Sequence, residues 1–337
     1  MFTPFLTTGI GSLPHTDPAE ACRLVLNTVD IPFWPQLPRL SFREFMIPQY
    51  SEGMPSVEID EEREAFWVVG DEEELQRFYA IYSDDLALPI SERYARGLYA
   101  FLQATNGRHF PYVKGHVTGP LTFTLGVKDN RGRPIYFNEE LREVALFVLQ
   151  AKTRWQIELL RRIAERVIIF VDEPVLSALG TSAYLGVAPA EAFRLLQATV
   201  GTIRDAGALA GLHCCGKADW PLVIESQASI ISFDAYDYLE TLALYPDEFT
   251  RFLEKKGWLA WGIVPTTDAI AHEDTFSLRE RFERGIRFLS TSLPRDLLLS
   301  QVILTPSCGT GSRTIGETEM IFRTLAELSA ALKAGAR

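Results

Sequence analysis

The fold is decided by the stretch APAEAFRLLQATVGTIRDAG (residues 188–207) and by the run ALAGLHCC (208–215) that follows it. The first stretch carries apolar residues at a spacing of three to four, which predicts an amphipathic helix. The second is short and apolar almost throughout, which is typical of a strand buried on both faces of a parallel sheet. The pair therefore predicts a helix that leads directly into a buried parallel strand.

The same alternation recurs along the chain. The candidate strands are TTGIGS (7–12), IPFWPQ (31–36), YVKGHVTG (112–119), VIIFVDEP (167–174), ALAGLHCC (208–215), SIISFDAY (229–236), WLAWGIVP (258–265) and QVILTPSC (301–308). Helical patterns such as residues 138–166 lie between them. Eight strands alternating with helices predict one α/β domain over residues 1–337, a (β/α)8 TIM barrel whose site lies at the carboxyl ends of the strands. Only for the second candidate strand does the composition argue against a strand. Its segment IPFWPQLP contains three prolines, which disfavour a regular central strand.

A small β-hairpin insertion is predicted between Met54 and Gly70, where VEIDEEREAFWVV looks like two short strands joined by an acidic turn. Its Phe66 and Trp67 are expected to pack the hairpin onto the barrel. The alternative is that they cap the barrel mouth or contact a partner.

The composition excludes several classes of partner. The 337 residues are 47% hydrophobic and carry a formal net charge of −11, without a Lys/Arg run that would follow a phosphate backbone, so no nucleic acid is expected. The sequence has neither a signal-peptide pattern nor an apolar run near the ~20 residues that cross a bilayer. We therefore expect a cytoplasmic protein without membrane contact, in which the cysteines are reduced.

Candidate metal ligands follow three of the predicted strands. His213 and Cys215 are separated by one residue, so an extended backbone points both side chains to the same face and Cys214 to the other. Asp234 and Cys308 end two further strands, and a tetrahedral zinc ion accepts this mixture of nitrogen, sulfur and oxygen. The alternative is that both neighbouring cysteines and His213 are ordinary core residues.

The segments IGSLP, HVTGPLT, VDEP, HCC, SFDAY and TPSCG, in this order over nearly the whole chain, resemble the catalytic barrel of cobalamin-independent methionine synthase and its single-barrel relatives. The resemblance implies a zinc-dependent methyltransferase that transfers a methyl group to a thiol, homocysteine, to give methionine. Matching positions imply substrate binding by Asp172, which takes the amino group, and by Gly11 and Ser12, which contact the carboxylate. They also imply the zinc ligands His213, Cys215, Asp234 and Cys308.

The sequence departs from the family pattern in three ways. The family's carboxylate ligand is usually Glu, whereas SFDAY offers Asp234, with Asp237 as the less favoured alternative. The family's histidine proton donor is replaced by Thr266 and Thr267, so no general acid is assigned. The second, amino-terminal barrel that helps to bind folate polyglutamate is missing, which favours a methylcorrinoid donor, with a corrinoid protein as partner.

Two other functions fit the same fold. One is a methylcorrinoid:coenzyme M-type methyltransferase, whose sulfonate-bearing thiol would not need the carboxylate of Asp172. The other is a metal-free barrel of the uroporphyrinogen decarboxylase type, because fold alone does not fix function. Asp172 has a simpler alternative as a cap of the next helix. His116, within the third strand, either faces the pocket as an acid or orienting group or is a hydrogen-bonded core histidine.

Overall fold

A computed structural model describes residues 2–81, 83 and 86–335. Its main sheet has seven parallel strands in the order β1-β9-β8-β7-β6-β5-β4, and β2 and β3 form a separate antiparallel pair. The strands are β1 Leu6–Thr7, β2 Val57–Asp60, β3 Ala65–Val68, β4 Phe110–Thr118, β5 Ala164–Asp172, β6 Leu209–Cys214, β7 Ile230–Asp234, β8 Trp258–Val264 and β9 Val302–Pro306. The predicted barrel is confirmed.

The position of the eighth strand is filled by an irregular segment, residues 31–36. It makes isolated parallel bridges, Ser12 with Gln36 and Phe33 with Lys114, and thereby joins the β1 side of the sheet to β4. A regular strand was the wrong prediction here, because proline has no amide hydrogen to continue a ladder. The first strand is also shorter than predicted, since its ladder covers Leu6–Thr7 alone.

The helices pack around the outside of the sheet and follow the strands in sequence. They are α1 Pro18–Thr28, α2 Met46–Ser51, α3 Glu72–Ile81, α4 Arg96–Ala104, α5 Pro120–Gly126, α6 Glu139–Leu160, α7 Pro189–Asp205, α8 Trp220–Glu225, α9 Pro246–Glu254, α10 Thr275–Leu289, α11 Arg295–Ser300 and α12 Ile315–Gly335. Short 3₁₀ helices cover Phe42–Glu44, Ile135–Phe137, Pro174–Ala178, Ser182–Tyr184, Leu239–Leu244 and Asp268–His272. Among the described residues, every helix is too short or too polar to span a bilayer.

Side-chain alternation divides the core into two layers. Outward residues of the strands, such as Ile169 and Val171 of β5, join the large cluster beneath the helices. Inward residues, such as Ile168 and Phe170, form a smaller cluster inside the barrel with Trp258 and Ile303. The inward series continues to the carboxyl ends of the strands, so the next inward residue of β5, Asp172, lies at the barrel mouth.

The predicted hairpin is present and packs onto the barrel, as expected. In its register Val57 lies opposite Val68, and the ring of Phe66 lies 6.3 Å from that of Phe42. An ion pair with 2.8 Å between Arg43 Nε and Glu61 Oε1 links the hairpin turn to the 3₁₀ helix Phe42–Glu44.

Candidate metal centre

Three of the predicted ligands come together at the barrel mouth. His213 is the last residue but one of β6, Cys215 directly follows that strand, and Cys308 lies two residues after β9. One ligand atom of each lies within 4.8 Å of the others. In the part of the chain that the structure describes, no other group of three or more His, Cys, Asp or Glu side chains converges in this way.

The orientation of the His213 ring is fixed by a neighbouring strand. His213 Nδ1 lies 2.9 Å from Ser232 Oγ, and the two residues are Cα partners in the β6–β7 ladder. With Nδ1–H donating to this hydroxyl, Nε2 keeps the lone pair that a metal requires. Nε2 is buried and has no hydrogen-bond partner, so the ring presents an unsatisfied ligand atom.

The two cysteines shift each other's pKa in opposite directions. The neighbouring side chains of Cys308 and, to a smaller extent, His213 lower the pKa of the Cys215 thiol to about 4. The contact with Cys215, together with burial, raises the pKa of the Cys308 thiol. A divalent cation suits these three side chains better than a proton does, because it can bind both cysteine sulfurs and the imidazole nitrogen at once. The residues present therefore fit zinc.

The cysteine between these ligands lies on the opposite face. Cys214 is fully buried in the outer core, and burial raises the pKa of its thiol to about 12. Cys22 is likewise buried, in α1, with Sγ 3.7 Å from the carbonyl oxygen of Gly97. Both are packing residues, as alternation and helical periodicity predict.

Asp234 lies next to the three-residue cluster and is not part of it in this structure. Its Oδ1 accepts hydrogen bonds from the amides of Tyr236 at 2.9 Å and Asp237 at 3.0 Å. Burial raises its pKa to about 6, and the charges of Asp237 and Cys215 act in the same direction. Asp237 itself is exposed, so Asp234 is the better placed of the two carboxylates.

The carboxylate of Asp172 is buried at the mouth, whereas its neighbour caps a helix. Asp172 is 6% exposed, and its Oδ1 has no hydrogen-bond partner. Burial raises its pKa to about 6, against the opposing effects of His213 and Lys114. Glu173 accepts hydrogen bonds from the amides of Leu121 and Thr122 at the start of α5. The helix that follows β5, the 3₁₀ helix Pro174–Ala178, has no side-chain cap, so Asp172 does not cap the next helix.

Two buried polar side chains of β4 point into the barrel. Lys114 is fully buried, and its Nζ donates a 2.6 Å hydrogen bond to the carbonyl oxygen of Ile10. Burial lowers its pKa to about 8, and Asp172 opposes this. His116, two residues on, is also buried. The sequence analysis gave Lys114 no role. Lys114 and His116 are two residues apart in YVKGHVTG, however, so their side chains lie on the same face of the strand.

The segment after β1 contacts the loop that carries Cys308 through Ser12. The carbonyl oxygen of Ser12 accepts a 2.9 Å hydrogen bond from the amide of Thr310, and its Oγ accepts one from Gly311 at 3.3 Å. A Cβ at Gly309 would lie 2.1 Å from Ser12 Oγ, so this approach requires glycine. Ser12 thus helps to position Cys308.

Known structures share this architecture. A B12-independent methionine synthase from Shewanella sp. W3-18-1, solved in complex with selenomethionine, superimposes with a TM-score of 0.64 at 15% identity over 99% of both chains. A methyltransferase from Methanosarcina mazei gives a TM-score of 0.57 at 13% identity, over 99% of this chain and 94% of that one. A protein from Listeria monocytogenes, provisionally assigned as a vitamin-B12-independent methionine synthase, gives 0.55 at 14% over 98% of both.

The chain has the fold of these B12-independent methionine synthases. At such identities the similarity establishes the fold alone. No protein-family model matches the chain, and no curated protein matches it in sequence. The chemistry must therefore be argued from the side chains at the barrel mouth.

Proposed function

We propose that the chain is a zinc-dependent S-methyltransferase that methylates a thiol, with homocysteine as acceptor and methionine as product. The observation that carries the proposal is the convergence of His213, Cys215 and Cys308 within 4.8 Å, with Nε2 of His213 buried and unpartnered. Methyltransferases of the same fold, one a methionine synthase, support it.

The zinc site would be held by His213, Cys215 and Cys308, with Asp234 as the proposed fourth ligand. Zinc at such a site supplies a cation that keeps a substrate thiol deprotonated at neutral pH, where the thiolate is the nucleophile. The protein's own contribution is placement: Ser232 orients His213, and Ser12 holds the loop after Cys308. Fixing the sulfur relative to the methyl donor is worth several kcal/mol of the barrier.

We propose an α-amino acid as the methyl acceptor, because a buried carboxylate at the barrel mouth can bind the ammonium group of such a substrate. Asp172 has an unpartnered buried oxygen and makes no helix cap. A charge-assisted hydrogen bond from an ammonium group would satisfy this oxygen. The Shewanella protein was solved with selenomethionine, itself an amino acid.

The same observations weigh against the two other functions. A sulfonate-bearing acceptor such as coenzyme M would place a second negative charge near Asp172, which repels it. A metal-free decarboxylase has no need for a converging His, Cys and Cys set. We therefore favour homocysteine over both.

The methylcorrinoid donor stays a prediction, and one assay tests the whole proposal. Purified protein is analysed for zinc, which is expected at about one ion per chain. The zinc form is then incubated with L-homocysteine and, in parallel, with methylcobalamin, methyltetrahydrofolate or simple methylated compounds, and methionine is measured. Zinc-free protein that forms methionine, or zinc-loaded protein that forms none with any donor, would refute the proposal.

A further inference from the structure

His116 has a polar ring that nothing in the protein satisfies. Its side chain is 2% exposed, and both Nδ1 and Nε2 are buried without a hydrogen-bond partner. Buried polar groups in native proteins are paired in the great majority of cases, and an unpaired one costs about 1–3 kcal/mol. The expectation of a hydrogen-bonded core histidine is therefore wrong, and an unpaired imidazole at this depth indicates a ligand.

The ring packs between Trp34 and the segment that follows β1. It stacks on Trp34 with 3.9 Å between ring centroids and 30° between the planes. A Cβ on Gly11 would lie 3.0 Å from His116 Nδ1, so glycine leaves this nitrogen its space. Burial and the charge of Lys114 hold the pKa of His116 well below its usual range. The ring is therefore neutral and has one N–H to donate.

Unused backbone donors lie in the segment beside this nitrogen, where a Cβ on Gly11 would lie 3.0 Å from His116 Nδ1. Among the described residues, the amides of Gly11 and Ser12 donate no hydrogen bond. The ammonium group of Lys114 lies two residues earlier on the same face of β4. The barrel interior thus offers donors and a positive charge from Gly11, Ser12 and Lys114, and a negative charge from Asp172. A ligand with a carboxylate and an ammonium group, as in an α-amino acid, matches this division.

We propose that His116 is a specificity residue whose Nδ1–H donates a hydrogen bond to the α-carboxylate of the bound amino acid, beside the amides of Gly11 and Ser12. The inference rests on the proposed function, because it takes the acceptor thiol to be an amino acid. It goes further because it assigns recognition of the carboxylate to His116, for which the sequence allowed either a role in the pocket or a role in the core.

The test compares two thiols that differ in the carboxylate alone, L-homocysteine and 3-aminopropane-1-thiol. Their affinities for the zinc-loaded protein are measured by calorimetry, without a methyl donor. His116→Phe keeps the stack on Trp34 and removes the donor, whereas His116→Asn keeps an N–H near the position of Nδ1. Zinc content and thermal unfolding are measured for each variant, and His116→Leu replaces the Phe variant if that variant does not fold.

We expect His116→Phe to weaken L-homocysteine binding about tenfold to a hundredfold, the range for a hydrogen bond to a charged group. The affinity for 3-aminopropane-1-thiol should change by less than about twofold, and His116→Asn should retain most of the wild-type preference for L-homocysteine. An equal loss for both thiols, no loss for either, or a wild-type protein that binds neither would overturn the inference. Normal binding without methyl transfer would refute the proposed function and leave the His116 result valid.

Discussion

Nδ1 of His213 lies 2.9 Å from the hydroxyl oxygen of Ser232, across the ladder between β6 and β7. Both side chains point into the barrel, since they are Cα partners on adjacent parallel strands. The contact leaves Nε2 buried and without a hydrogen-bond partner. A hydroxyl on one strand thus decides which nitrogen of a residue on the next strand is available to a metal.

Replacing Ser232 should therefore weaken zinc binding. We expect Ser232→Ala to lower zinc affinity about tenfold to a hundredfold, the usual effect of losing an outer-shell partner of a histidine ligand. Competition with a chromophoric chelator measures it. Ser232→Thr keeps the hydroxyl and is the matched control. Wild-type affinity in the Ala variant would show that the ring is oriented by packing alone.

The three cysteines at or near the mouth should respond differently to replacement by serine. Cys215→Ser and Cys308→Ser should each abolish most zinc binding, because each removes a sulfur of the cluster. Cys214→Ser should leave zinc content largely intact, since this side chain lies in the outer core. Metal analysis measures the content, and X-ray absorption should show sulfur ligands near ~2.3 Å in the wild type. Equal zinc loss in all three variants would contradict the assignment.

Neutralising Asp172 should affect the substrate and spare the metal. Asp172→Asn removes the charge that is proposed to bind the amino group, so homocysteine affinity should fall by about 1.5–3 kcal/mol. Zinc content should stay near that of the wild type. Titration calorimetry with L-homocysteine and metal analysis on the same sample measure both. Unchanged homocysteine affinity would remove Asp172 from the site.

Glu173, in contrast, should matter for stability. It is fully buried, and its carboxylate accepts hydrogen bonds from Leu121 N at 2.8 Å, Thr122 N at 2.9 Å and Thr122 Oγ1 at 2.6 Å. Glu173→Gln turns an amide donor toward these donors, so the free energy of unfolding should fall by about 1–3 kcal/mol in urea. The exposed Glu165 of the same strand is the control, and Glu165→Gln should stay within about 0.5 kcal/mol of the wild type. Similar values for both variants would show that the cap contributes little.

The sequence alone determined the features that repeat with a local period. Alternation along a strand separated Cys214 from His213 and Cys215, and apolar runs between amphipathic helices predicted the barrel. Strand alternation and helix periodicity depend on the geometry of the nearest few residues. They can therefore be predicted without any contact between distant parts of the chain. The three ligands of the cluster were predictable because a barrel brings its strand ends together.

The tertiary structure decided what depends on partners far apart in the chain. Ser232 orients His213 although the two are 19 positions apart, and Glu173 caps α5 although it lies 51 positions from Thr122. Residues 31–36 close the barrel through bridges to two distant segments although their prolines prevent a regular strand. Lys114 and His116 are buried polar groups in an apolar run, and their surroundings exist only after the sheet has curled. The periodicity of the sequence determines which face of a strand or helix a side chain lies on. The register of the strands and the closure of the barrel determine which other groups that side chain contacts.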